Sequence, residues 1–165
     1  MAEKTAAPAT AAAYLELAIE TGREGMRGRR GGPFGAVVVA RGGAVVGEGC
    51  NNVTSANDPT AHAEITAIRA ACAALGTFLL EGCTLYTSCE PCPMCLAAAY
   101  WAHVDAIVYG ASRADAAAAG FDDAFIYEEI GRPTESRRIP MKQLTGESAA
   151  ALFDEWRAMD DRTAY

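Results

Sequence analysis

His62, Glu64, Cys92 and Cys95 are residues of the types that bind a borderline-soft divalent cation and move protons. They stand in two short runs, His62-Ala63-Glu64 and Pro91-Cys92-Pro93-Met94-Cys95. One imidazole and two thiolates make a three-ligand set for tetrahedral zinc, which leaves a position open for water and lowers that water's pKa from about 16 to about 7. Glu64, two residues past the histidine, can then carry protons. The i, i+3 spacing of Cys92 and Cys95 aims both sulfurs at one point from the first turn of a helix. Pro91 and Pro93 suit such a start, where a missing N–H costs no intrahelical bond, and the positive end of the helix dipole favours thiolate over thiol.

Two other chemistries share part of this pattern. A redox dithiol also spaces its cysteines two residues apart, but it needs no distant His-x-Glu. A structural zinc would take a fourth protein ligand, for which Cys89, Cys83 and His103 are the candidates. Cys89, three residues before Cys92, is the serious rival; as a fourth thiolate it would leave Glu64 no water to act on. The presence of Glu64 favours the catalytic arrangement.

Elements must hold these side chains in place. Tyr14, Leu17 and Ala18 recur on one face of a helix spanning about 9–26, ended by glycines. The valine-rich run 34–40, the turn Arg41-Gly42-Gly43 and the return 44–49 read as a β-hairpin. A helix over 61–75, with Thr60 or Asp58 as cap and an Ile65, Ile68, Cys72 stripe, carries the histidine. Strand 84–87 leads into the cysteine helix, which continues to Trp101, and strand 106–109 follows. Helical pieces at 115–119 and 126–130, a strand at 139–141 and a last helix over 147–159 complete the order, with 160–165 beyond it. Helices interleaved with short strands predict an α/β fold, a three-layer α/β/α sandwich with a central mixed five-stranded sheet.

With 165 residues, 51% of them hydrophobic, the chain has material for one core and is expected to form a single domain over 1–165. The small, Ala-rich residues 1–9 lack the apolar centre of a signal peptide, and no stretch approaches the ~20 apolar residues of a membrane span. Six cysteines used for metal and packing, with Cys50, Cys72 and Cys83 in the packing class, agree with a reducing compartment; the expected location is cytoplasmic. A net charge of −7 opposes attraction to phosphate backbones, which argues against a nucleic-acid partner. The basic clusters Arg23, Arg27, Arg29, Arg30 and Arg137, Arg138, Lys142 read as solvated surface.

On these residues the chain resembles the cytidine deaminase superfamily, and within it the small bacterial zinc-dependent guanine deaminases. The resemblance runs from Gly32-Pro33-Phe34-Gly35-Ala36 through Asn51-Asn52-Val53 and Asp58-Pro59-Thr60-Ala61-His62-Ala63-Glu64. It continues through 86–95, Tyr100-Trp101-Ala102 and Gly120-Phe121-Asp122-Asp123 to Phe125-Ile126-Tyr127. The metal motif alone marks the superfamily; Asn51, the Gly-Phe-Asp-Asp run and Tyr165 point to the guanine branch. The resemblance implies zinc on His62, Cys92 and Cys95, with Glu64 and Asp123 catalytic. It also implies that Asn51, Phe34, Ala63, Trp101, Asp123 and Tyr165 contact a purine base. Phe34 and Trp101 could equally be core, and Asp122 or Asp123 a helix cap. A homodimer follows from the same resemblance, with a carboxy-terminal segment of about 146–165 exchanged between subunits.

The expected reaction is hydrolytic deamination of guanine to xanthine and ammonia by a zinc-activated water, with the purine base and water as partners. Alternatives on the same fold are another free base or nucleoside (guanosine, cytosine, a triazine) and adenosine in tRNA. From another class comes a zinc-binding interaction protein without catalysis, which the presence of Glu64 disfavours.

Overall fold

The structure, a computed structural model, describes residues 10–144 and 147–164. Its first helix, α1 (Ala11–Arg27), starts where the Thr10 side chain accepts the backbone N–H of Ala13, and Gly28 ends it. The predicted hairpin forms from β1 (Gly35–Ala40) and β2 (Val45–Cys50). β1 also pairs antiparallel with β3 (Cys83–Cys89), and β3 pairs parallel with β4 (Ala106–Ala111). The sheet is therefore mixed, in the order β2-β1-β3-β4.

The valine-rich run of β1 has no polar alternation because both of its faces are covered. Val37 and Val39 meet Tyr14 and Ala18 of α1 together with Tyr86. Ala36 and Val38 face the other way, onto Ala63, Ala67, Ile68 and Ala71 of α3 (Ala63–Leu75), and Ala99 of α4 (Pro93–Trp101) joins that cluster. Strand period two thus splits one segment between two helical layers and produces the expected α/β/α sandwich. Gly35 lets α1 approach: a Cβ there would stand 2.1 Å from the Ala18 carbonyl oxygen.

The sheet has four strands, not five. Residues 139–141 form no strand: Pro140 has no N–H for a ladder, and Ile139 and Met141 are exposed. α3 begins at Ala63 with His62 as its N-cap residue, and the Asp58 carboxylate instead accepts the N–H and hydroxyl of Thr60 in the turn before it. A short helix not anticipated, α2 (Val53–Ala56), is ended by Asn57 in the left-handed conformation. α5 (Arg113–Ala118) is opened by a capping box in which Ser112 and Asp115 exchange hydrogen bonds.

The chain separates into two compact units, one ending at Ala124 and the other running from Phe125. The first holds the sheet and α1 to α5. α6 (Ala124–Gly131) begins at that boundary, and the second unit continues with a short 3-10 turn (Thr134–Ser136) and α7 (Glu147–Ala158). Arg132 pairs with Glu129 at 2.8 Å there, and the Arg138 guanidinium lies 6.0 Å from the Phe125 ring centre. Tyr165 and residues 145–146 lie outside the described residues, as does residue 9, the expected start of the first helix.

Candidate active site

Two helix starts carry the expected ligands. His62 is the N-cap residue of α3, yet its side chain makes no capping bond. Instead its Nδ1 stands 3.6 Å from Cys92 Sγ and 3.5 Å from Cys95 Sγ. Cys92 is the N-cap residue of α4, Pro93 occupies the first helical position, and Cys95 lies three residues on. A tetrahedral zinc with Zn–S of about 2.3 Å and Zn–N of about 2.0 Å has S···N edges of about 3.6 Å, so the side chains are already at the spacing zinc requires. Among the described residues these three are the His, Cys, Asp or Glu group whose ligand atoms, all within 4.8 Å of one another, could hold a metal ion.

The rival fourth ligands are not part of that group, although Cys89 lines the cavity beside it. Cys89 Sγ points to the Ser112 carbonyl oxygen at 3.6 Å. His103 lies 3.9 Å from Glu81, and Cys83 sits at the far end of β3. Three protein donors leave a tetrahedral cation one free position.

Glu64, in the first turn of α3, is 6% exposed. Its Oε1 accepts from the Thr87 hydroxyl at 3.4 Å, and its Oε2 is 3.4 Å from Cys95 Sγ. Burial raises the Glu64 carboxyl above the ordinary carboxylate range. The hydrogen bond from Cys95, reinforced by His62, pulls Cys92 down to about 4 against its burial, while the same bond and burial push Cys95 up. The hydrogen bond to Cys92 raises His62. Two sulfurs and a carboxyl compete for negative charge in one small volume, and a divalent cation is the partner that would let them ionise together. The donor set therefore fits zinc in both chemistry and spacing.

A cavity of about 310 Å³ opens beside these groups, lined by His62, Glu64 and Cys92 together with Asn51, Phe34 and Asp123. Asn51 is 7% exposed, and its Oδ1 accepts from the backbone N–H groups of Gly32 at 3.1 Å and Val53 at 3.2 Å. The sequence reading gave this amide both donor and acceptor roles at a base. In the folded chain the acceptor is taken up by backbone, and the donor end remains. Gly31 makes the approach possible, since a Cβ there would lie 2.1 Å from Asn51 Oδ1. Burial, then the Cys92 charge, raises Asp123, and Arg113 counters both.

Other expected contacts are not gathered here. Trp101 ends α4 and is 65% exposed, and it does not line the cavity; Ala63 is fully buried in the core and does not line it either. Conversely, Thr54, Glu90, Arg113 and Phe121 line the cavity without having been singled out as contacts. Phe121 packs edge-on against Phe34, ring centres 4.9 Å apart. Arg113 had a readable signal: the Ser112-x-x-Asp115 box places a helix start just past the carboxyl end of β4, where sheets of this kind bind ligands. A larger groove of about 1040 Å³ lies at the opposite ends of the strands, where Arg41 pairs with Asp105 and His103 with Glu81. It carries no metal-binding group of the kind just described.

Known proteins resemble this chain in sequence and in fold. The sequence model described as the cytidine and deoxycytidylate deaminase zinc-binding region matches residues 8–111. Guanine deaminase of Bacillus subtilis (strain 168) is 53% identical over 152 residues, which cover 92% of this chain and 97% of that protein. An X-ray structure of guanine deaminase from Bacillus subtilis, 52% identical, superposes with a TM-score of 0.92 over 95% of this chain and 99% of its own. The tRNA-specific adenosine deaminase of Aquifex aeolicus is 33% identical over 145 residues, 87% of this chain and 91% of that protein. The matched family model and the relative of 53% identity show that the chain belongs to the cytidine and deoxycytidylate deaminase zinc-binding family.

Proposed function

We propose that the protein is a zinc-dependent aminohydrolase that converts guanine and water to xanthine and ammonia. The single observation that carries the substrate is the identity to a guanine deaminase, 53% across nearly the whole of both chains, against 33% to a tRNA-specific adenosine deaminase at similar coverage. The net charge of −7 supports the same choice, since a polynucleotide substrate calls for a basic surface. No helix of the described residues is long and apolar enough to cross a membrane.

His62, Cys92 and Cys95 would hold the zinc. When bound, it supplies a Lewis acid that polarises water and makes it nucleophilic near neutral pH. Glu64, buried and with its carboxyl raised by that burial, would take one proton from the attacking water and pass it to the ring nitrogen beside the reacting carbon, then take the second from the hydroxyl now on that carbon and deliver it to the departing amine. The carbon changes its amino group for an oxygen, and ammonia leaves. Asn51 donates from its amide to an acceptor on the base, Phe34 lays an apolar ring against it, and Asp123 accepts from the amino group. Trp101 and Ala63 do not line the cavity, and Tyr165 would close it from the exchanged tail of the partner subunit.

The quaternary proposal is a homodimer in which the segment of about 146–165 crosses to the other subunit. Leu152 and Phe153 of α7, largely exposed, supply an apolar face for such an exchange. Light scattering that returned a monomer mass at assay concentration would overturn it. Ammonia release is the test of function, measured across guanine, guanosine, adenine, cytosine and cytidine, with metal content determined on the same sample. Guanine is expected to be turned over best. Glu64→Gln should keep its zinc and lose about 10²- to 10⁴-fold in kcat. Faster release from another compound overturns the substrate assignment.

A further inference from the structure

Thr87 is the one polar side chain on the α3-facing side of β3 that meets the catalytic carboxyl. Along the strand, Leu85 packs into the α3 cluster and Tyr86 into the α1 cluster, so the period of two returns Thr87 to the α3 face. It is 1% exposed and hydrogen-bonded to Glu64 Oε1 at 3.4 Å. Its backbone is held on both sides, opposite Ala36 of β1 and Tyr109 of β4, so the hydroxyl is fixed by the centre of the sheet.

We propose that Thr87 is a positioning residue that anchors Oε1 of Glu64 and thereby holds the carboxyl with Oε2 turned toward the metal ligands. The two carboxyl oxygens have different neighbours: Oε1 has the Thr87 hydroxyl, and Oε2 has the Cys95 sulfur. As a metal ligand Cys95 is a thiolate and donates nothing, so Thr87 becomes the side-chain donor that holds the carboxyl in the loaded site. With Oε1 anchored, rotation of the carboxyl about its Cγ–Cδ bond is restrained and Oε2 stays beside the metal ligands. This rests on the proton-carrying role of Glu64 proposed above.

The experiment compares Thr87→Val, which keeps shape and removes the hydroxyl, with Thr87→Ser, which keeps the hydroxyl. Ammonia release from guanine, zinc content and a crystal structure of each variant are measured beside the parent. Thr87→Val is expected to lower kcat about tenfold with KM and zinc content unchanged, the cost of one hydrogen bond to a charged group, and to show the Glu64 carboxyl rotated away from Oε1's position. Thr87→Ser should stay within about twofold of the parent. If Thr87→Val does not fold, Thr87→Ala against Thr87→Ser makes the same comparison. A parental kcat without the hydroxyl, or a loss that serine does not restore, overturns the proposal. A parent that releases no ammonia from guanine instead sinks the functional reading itself.

Discussion

A side chain's chemistry in this site depends on which of its atoms the fold has already used. His62 occupies a helix N-cap position, where a polar side chain commonly accepts a backbone N–H, but it turns to Cys92 and Cys95 instead. Asn51 does the reverse: its carbonyl oxygen is taken by Gly32 and Val53, so only its amide donor can meet a ligand. Asn51→Asp is the sharp test, because the carboxylate still accepts from both N–H groups while presenting a second oxygen where the donor stood. The expected outcome is a folded, zinc-loaded enzyme with kcat/KM for guanine lowered at least about tenfold, mainly through KM. An unchanged KM would show that the amide donor does not read the base. The gathering of His62, Cys92 and Cys95 around Glu64 was legible in the sequence because metal geometry constrains residue type and spacing together. The orientation of Asn51 was not, since it depends on a glycine loop that meets the side chain only after the hairpin closes.

The elements are positioned by backbone approach as much as by apolar pattern. α1 lies so close to β1 that a methyl group at Gly35 would stand 2.1 Å from the Ala18 carbonyl oxygen and 2.3 Å from the Gly22 nitrogen. Gly35→Ala must therefore separate the helix from the sheet, at a cost of about 3 kcal/mol or more, read as a lower urea midpoint. A midpoint equal to the parent's would show that α1 can shift freely. The turn before α3 and the start of α5 are set by carboxylates. The Thr60 hydroxyl, then its N–H, holds Asp58 below 3.8, and the Ser112 hydroxyl, then its N–H, does the same for Asp115. A depressed carboxylate stabilises the fold fully above its ordinary value and loses that contribution as pH falls through the lowered one. Thermal unfolding should thus move to lower temperature as pH drops below 3.8, and the double variant Asp58→Asn, Asp115→Asn should flatten that acid limb. Periodicity made α1, the hairpin, α3 and β3 legible because each buries a stripe or a face. The strand expected at 139–141 failed where apolar residue type was read without a partner: Pro140 cannot donate to a ladder, and the flanking side chains stay exposed.

For the molecule as a whole, the metal site is a clasp within one helical layer. It joins the start of α3 to the start of α4, two elements otherwise linked only through the core on one face of the sheet. A cation bound by the native chain and not by the unfolded one stabilises it by mass action, about 2.7 kcal/mol at a concentration a hundredfold above its dissociation constant. In a chain of this length that is a rise of about 5–10 °C in unfolding temperature. Chelation should therefore abolish ammonia release and lower the unfolding temperature together, with added zinc restoring both. The ligand count follows from the same titration carried out on single variants. Cys92→Ala and Cys95→Ala should lose the zinc-dependent rise, whereas Cys89→Ala, whose sulfur is turned to the Ser112 carbonyl and whose thiol burial pushes up to about 11, should keep both the rise and the metal. If removing Cys89 strips the ion as thoroughly as removing Cys92, the cation has four protein donors and no free position. A deaminase of this design could not then place a nucleophile on it, and Glu64 would have no proton to move.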